Sequence, residues 1–249
     1  MKTFEYTCQT DIGKVRHQNE DYFGCFSTIN GDIFVVCDGI GGHAGGDVAS
    51  KLAVESFRQF FEKEYYENPF SAILKAFNFA NSVIYDVSYE KPELKDMGTT
   101  CVLAMFRVDK VFYAHAGDSR IYYNSNCKLH RLTKDHSYVQ GLVDKKLITE
   151  EEAENHPAKN IITKSLGHFP TVQPSISEIP LFPDNDDILM LCTDGLTGLV
   201  KDTEIESILN SSKTLQQKAV LLIAHANENG GYDNSTIQLI RFKEIETNT

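Results

Sequence analysis

Four short segments of this chain end an apolar run on an aspartate beside glycine or asparagine: Val35-Val36-Cys37-Asp38-Gly39, Ala116-Gly117-Asp118, Leu191-Cys192-Thr193-Asp194-Gly195 and Tyr232-Asp233-Asn234. A strand that stops on a carboxylate beside glycine presents hard oxygen at a sheet rim, and four such ends can converge on one cluster of divalent cations. A lone Asp-Gly pair marks a turn more often than a ligand, so the repetition after apolar strands carries the signal. Residues 33–46 are the richest stretch, an apolar strand entering a glycine-rich loop that holds His43 and then a helix. The formal Gly39-x-Gly41-x-x-Ala44 spacing raises a dinucleotide site, but the context opposes it. Asp38 would set its charge against a pyrophosphate, and some twenty residues on, near Glu62, the chain is helical where a second strand's acidic end is required. A carboxylate with bare glycine carbonyls suits Mg²⁺ or Mn²⁺.

Upstream, Arg16-His17-Gln18-Asn19-Glu20-Asp21 places a guanidinium before two adjacent acids. In a strand Glu20 and Asp21 point to opposite faces, so only one faces a metal cluster squarely, while Arg16 can offer a fork to a phosphate oxygen. The plainer reading is a surface ion pair. Cys101 and Arg107 match the C-x5-R spacing of cysteine-dependent phosphatases, yet a phosphate-binding loop needs small flexible residues. The intervening Val102-Leu103-Ala104-Met105-Phe106 reads as a strand, and the match is accidental.

The elements that must position these residues alternate short strands with amphipathic helices. Residues 99–107, 110–115 and 120–123 follow one another as strands with brief breaks, which predicts antiparallel meanders in place of strict βαβ alternation. Residues 46–64 place Val48, Leu52, Ala53, Phe57, Phe60 and Phe61 on one helical stripe, and 69–89 do so with Ile73, Leu74, Phe77, Val83 and Ile84. A third long helix spans 214–227, and a strand at 235–242 closes the fold. Residues 136–167 form a polar, helix-prone flap, with Asp135 placed to cap its start and Thr149 and Glu152 forming a capping box. Runs of strands beside paired helices predict an α+β fold with a sheet-on-sheet core flanked by helices.

The chain has 249 residues, 41% hydrophobic and 24% charged, and no Pro- or Ser-rich linker, so a single domain over 1–249 is expected. A net charge of -11 without a basic run excludes a phosphate-backbone binder, hence no nucleic acid. The start Met1-Lys2-Thr3-Phe4-Glu5-Tyr6 lacks an apolar signal core and no apolar run approaches membrane-spanning length; a cytoplasmic protein without membrane association is expected. Six cysteines show no CxxC pair, and Cys37, Cys101 and Cys192 lie inside apolar runs as buried free thiols.

Read in order, Arg16…Asn19-Glu20-Asp21, Asp38-Gly39-Ile40-Gly41-Gly42-His43, Met97-Gly98-Thr99-Thr100, His115-Ala116-Gly117-Asp118-Ser119-Arg120, Thr133-Lys134-Asp135-His136-Ser137, Cys192-Thr193-Asp194-Gly195-Leu196 and Asp233-Asn234-Ser235-Thr236 resemble the metal-dependent protein phosphatases of the PPM (PP2C-like) family in their bacterial serine/threonine form. The resemblance covers nearly the whole chain. It implies an α-β-β-α sandwich of two antiparallel sheets flanked by helix pairs, with the acids meeting at one end around two Mn²⁺ or Mg²⁺ ions and a weaker third.

Carried over, Asp38 would bridge two metals, Gly39 would give its carbonyl, and Asp194 and Asp233 would complete the first metal's ligand set. Asp21 and Glu20 would hold the second metal, and Asp118, with Asp194, the third. The implied reaction is attack of a metal-bridging hydroxide on phosphoserine or phosphothreonine without a phosphoenzyme, Arg16 clamping the phosphate and His43 protonating the leaving oxygen. Phosphoproteins, including a cognate serine/threonine kinase, are the implied partners of a monomer. A catalytically inactive PPM-like binding module is the alternative; its signature, loss of a metal acid, is not in this chain. Two departures lie in the flap: Lys146 stands where relatives commonly have glycine, and Lys159 where arginine commonly follows His-Pro.

Overall fold

The computed structural model describes residues 2–41 and 45–244. Strands β1 (Lys2–Asp11), β2 (Asp21–Thr28) and β3 (Gly31–Ile40) open the chain, followed by helices α1 (Gly46–Lys63) and α2 (Pro69–Glu90). After a 3-10 turn at Pro92–Leu94 come β4 (Gly98–Thr99), β5 (Cys101–Arg107), β6 (Lys110–Ala116), β7 (Arg120–Ser125) and β8 (Lys128–Arg131). Short helices α3 (Tyr138–Asp144) and α4 (Glu150–Glu154) precede β9 (Ser175–Ile176) and β10 (Ile188–Cys192). Helices α5 (Asp194–Thr197), α6 (Asp202–Leu209) and α7 (Leu215–Glu228) lead to β11 (Ser235–Glu244).

One sheet runs β1-β11-β10-β7-β8 and the other β2-β3-β5-β6-β9, with β4 paired to β3; every pairing is antiparallel. Period-2 alternation explains the layers. In β3, Ile33, Val35 and Cys37 pack under α1 and α2, while Phe34 and Val36 face the other sheet with Val102, Ile121, Leu189, Leu191 and Ile240. Both faces of the central strands are covered, which is why they read as continuous apolar runs. The second sheet turns Met190, Cys192, Ile237 and Leu239 toward α5, α6 and α7. The result is the expected α-β-β-α sandwich.

Two expectations need correction. Leu74 is 43% exposed, so it lies off the packed stripe of α2. Asp135 does not cap α3: Ser137 does, accepting from the Gln140 amide at 3.2 Å, while Asp135 is drawn sideways into ion pairs with Arg120 and Arg131. Among the described residues no helix is long and apolar enough to cross a membrane.

Antiparallel register gathers the functional ends at one rim. Asp11 lies opposite Ser235, and Cys192 opposite both Ile237 and Arg120. In the other sheet Asp21 lies opposite Asp38, and Cys101 opposite Ala116. Thus the residues just beyond β3, β6 and β10, and just before β2, β7 and β11, all emerge on the same side.

Candidate metal-binding active site

Backbone approach at this rim is close enough to require glycine. A Cβ on Gly39 would stand 2.2 Å from the Gly46 carbonyl oxygen and 2.7 Å from that of Glu20; one on Gly46 would meet the Glu20 carboxyl at 2.8 Å. Glu20 therefore leans on the N-terminus of α1, where a carboxylate is favoured. Gly195 lies against the Asn234 carbonyl oxygen, 1.9 Å from where a Cβ would sit. These contacts bring the Asp38, Glu20, Asp194 and Asp233 segments together.

Side chains then fix the aspartates. The Asp38 amide donates to Thr100 Oγ1 at 3.0 Å and its carbonyl accepts from Thr99 Oγ1 at 2.8 Å. Thr100 Oγ1 lies 2.7 Å from Ser119 Oγ, which ties the end of β3 to the Asp118 turn. Thr193 Oγ1 donates to Asp21 Oδ2 at 2.9 Å and accepts from the Thr236 amide at 2.9 Å. The segment leading into α3 holds the other side of the Asp118 turn: Gly117 donates to His136 Nδ1 at 3.2 Å and accepts from the His136 amide at 2.9 Å.

Crowding of acids sets the electrostatics. Burial, then the charges of Asp21, Asp194, Asp118 and Asp233, holds the Asp38 carboxyl well above the usual range. Asp21 is raised to about 7, chiefly by burial against the opposing hydrogen bonds of Thr236 and Thr193. Asp118 is raised to about 8 by burial, then by Asp194 and Asp135. Burial and Asp233 raise Asp194, which shares a hydrogen bond with Asp38. Burial also raises Glu20. Arg16, half exposed, donates from one terminal nitrogen to Asp233 Oδ2 at 2.8 Å, and this bond raises its pKa further.

These residues fit hard divalent cations. Asp21 Oδ1 and Asp118 Oδ1 are buried without a hydrogen-bond partner, a costly state for a carboxylate oxygen unless a cation or water completes it. The donors are all oxygen, as Mg²⁺ and Mn²⁺ require. Among the described residues no three acidic, histidine or cysteine side chains already meet as a closed ligand set; the Asp233 carboxylate is turned onto Arg16 instead.

The sequence-designated Arg16, Glu20, Asp21, Asp38, Gly39, Asp118, Asp194 and Asp233 thus share one rim. His43 lies outside the described residues. Cys101 is fully buried at the start of β5, its thiol pushed far up by burial and by Cys37, and the C-x5-R stretch is a strand. Sequence reasoning gave no role to Thr193 or Asn234; their only signal was a polar residue abutting a designated aspartate.

A family model described as Protein phosphatase 2C matches residues 13–228. The serine/threonine phosphatase stp of Listeria monocytogenes serotype 4b is 40% identical over 237 residues, 93% of each chain. The structure of the S. agalactiae serine/threonine phosphatase superposes with a TM-score of 0.91 at 34% identity, covering 97% of this chain and 100% of that one. The catalytic domain of the serine/threonine protein phosphatase PstP, in complex with two manganese ions, does so at 0.87 with 30% identity over 98% of this chain and 100% of that one. Acid placement, sandwich and sequence agree: this chain belongs to the protein phosphatase 2C family.

Proposed function

We propose that the chain is a metal-dependent protein phosphatase that hydrolyses phosphoserine and phosphothreonine on proteins by direct attack of water, without a phosphoenzyme. The convergence of five aspartates on one rim, two of them with buried unpartnered oxygens, carries this reading. Asp38, the Gly39 carbonyl, Asp194 and Asp233 would hold one divalent cation; Asp38, Asp21 and Glu20 a second; Asp118 with Asp194 a weaker third. Bound there, Mn²⁺ or Mg²⁺ would supply the positive charge that acidifies water and offsets charge on the phosphoryl oxygens.

The chain's own groups do the rest. Arg16, anchored through one nitrogen to Asp233, stands at the exposed mouth with N–H donors for the phosphate dianion. Thr193 aims Asp21, and Thr100 with Ser119 keeps Asp38 and Asp118 in fixed relation. His43 is the proposed general acid for the departing serine or threonine oxygen. The inaccessible Cys101 leaves a covalent phosphocysteine without support. The whole of 1–249 acts as one domain with a flap at about 136–167, on phosphoproteins that include a serine/threonine kinase, as a monomer. The buried free thiols Cys37, Cys101 and Cys192 support a reducing, cytoplasmic setting.

The test is phosphate release from a phosphothreonine peptide by metal-stripped protein, with Mn²⁺ added back and Asp38→Ala alongside. Release that needs metal and vanishes in the variant supports the reading; silence from folded, metal-loaded protein overturns it.

A further inference from the structure

We propose that Asn234 is the positioning residue for Arg16: its side-chain amide pins both ends of the loop that carries the guanidinium. What Arg16 does rests on the phosphatase reading above; how it is held does not.

Residues 12–20 join β1 to β2 with no helix or strand of their own, and residues 14–18 are all exposed. An exposed ion pair such as Arg16–Asp233 holds little by itself. Asn234, only 5% exposed, supplies what the loop lacks. Its Nδ2 donates to the Ile12 carbonyl at 2.9 Å and to the Gln18 carbonyl at 3.0 Å, and its Oδ1 accepts from the Glu20 amide at 2.8 Å. Two donors and one acceptor on a planar group are what these three backbone sites require, and among side chains of this length only asparagine offers both.

The anchor is itself fixed. Its backbone amide donates to Asp233 Oδ1 at 2.8 Å while Arg16 takes Asp233 Oδ2, so one carboxylate orients both the anchor and the residue it places. Gly195 lets the Asp194 segment press against the Asn234 carbonyl. Two further tethers act at the near end of the loop: the Lys14 amide donates to the Gly231 carbonyl at 2.7 Å, and the Gly13 amide to Asp11 Oδ1 at 2.8 Å. Gly13 has φ +79°, and a Cβ there would lie 2.5 Å from the Asp233 carbonyl oxygen, so the loop rides directly on the segment it serves. At the far end Asn19 Nδ2 donates to Thr10 Oγ1 at 2.9 Å and the Gly39 amide to the Glu20 carbonyl at 3.1 Å, but among the described residues only Asn234 ties Gln18 and the Glu20 amide back to Ile12 across the loop.

Asn234→Asp keeps an acceptor for the Glu20 amide and removes both donated bonds. Trypsin cleavage after Lys14 or Arg16 is expected to quicken roughly tenfold in the full chain, because local opening exposes the loop. The kcat/KM for a phosphothreonine peptide is expected to fall about tenfold, mainly through KM, with Arg16→Ala adding less than twofold on that background. Asn234→Ala, which removes all three bonds without adding charge, should give the same cleavage and the same non-additivity. Calorimetric Mn²⁺ titration should show an unchanged number of sites. Unchanged cleavage in both variants, or losses that multiply with Arg16→Ala, overturns the proposal. If Arg16→Ala alone leaves kcat/KM intact, the phosphate-binding part of the functional reading fails, while proteolysis still decides whether Asn234 holds the loop.

Discussion

At the scale of single residues, the proposed mechanism separates acids that would carry the chemistry from polar groups that aim them. Asp194→Ala removes a carboxylate shared within the cluster, and its effect on metal-dependent phosphate release should exceed the ~100-fold that loss of an outer partner costs. Cys101→Ser should leave release nearly unchanged, because a fully buried thiol in β5 reaches no substrate. Assaying both variants against the same phosphopeptide checks the pair, and inactivity of a folded, metal-binding Cys101→Ser would overturn a mechanism without phosphocysteine. His43→Ala should slow alkyl phosphates on the order of 100-fold and 4-nitrophenyl phosphate far less, as loss of a general acid demands. Equal slowing across leaving groups would remove His43 from that role. Asp38, Asp118 and Asp194 were legible because each follows an apolar run beside glycine, whereas Asp21 opens β2 and Asp233 precedes β11. Asn234 and Thr193 were not legible, because the bonds that tie Thr193 to Asp21 and Asn234 to Ile12 and Gln18 join residues more than 170 positions apart and leave no periodicity.

Among the elements, the end of α3 shows what a lysine at a glycine-favouring position means physically. Helix α3 ends with the Lys146 amide on the Val143 carbonyl at 2.8 Å and the Leu147 amide on the Leu142 carbonyl at 3.0 Å. That pair of bonds places Lys146 at φ +57°, the left-handed position where glycine is preferred. Relief of the strain outweighs the added chain entropy, so Lys146→Gly should stabilise the end of α3 by roughly 0.5 kcal/mol. Hydrogen exchange of the α3 amides should slow about twofold; faster exchange would refute the account. Long elements were readable from sequence: the 69–89 and 214–227 helices are Pro69–Glu90 and Leu215–Glu228, the latter capped by Thr214. Helices as short as α5 and strands as short as β4 and β9 carry too few residues for a period; one local turn defines α5, and pairing with β3 and β6 defines the two strands.

For the whole molecule, gathering five aspartates at one rim makes stability depend on what neutralises them. Asp21, raised to about 7, and Asp118, raised to about 8, bind protons more tightly folded than unfolded. Their contribution to metal-free stability is complete below about pH 4, the ordinary aspartate range, and is lost as pH rises through 7 and 8. Buried His115 and His136, both lowered by burial, oppose this below the ordinary histidine range, so thermal melts of metal-stripped protein should fall between about pH 6.5 and 8, and Mn²⁺ should reduce that slope. At a free concentration about 100 times its dissociation constant, Mn²⁺ should add ~2.7 kcal/mol and raise the melting temperature by roughly 5–10 °C. A pH-independent melt without metal would contradict the raised carboxyls.

The pairing of β1 with β11 has a practical corollary. Lys2 lies opposite Glu244, and nine residues along the same ladder Asp11 lies opposite Ser235 at the rim, roughly 30 Å away. Both ends of the described chain therefore leave from the pole remote from the aspartates. A tag or bead attached at either end faces away from incoming phosphoproteins, and a short linker from Glu244 to Lys2 would circularise the polypeptide with the mouth still open.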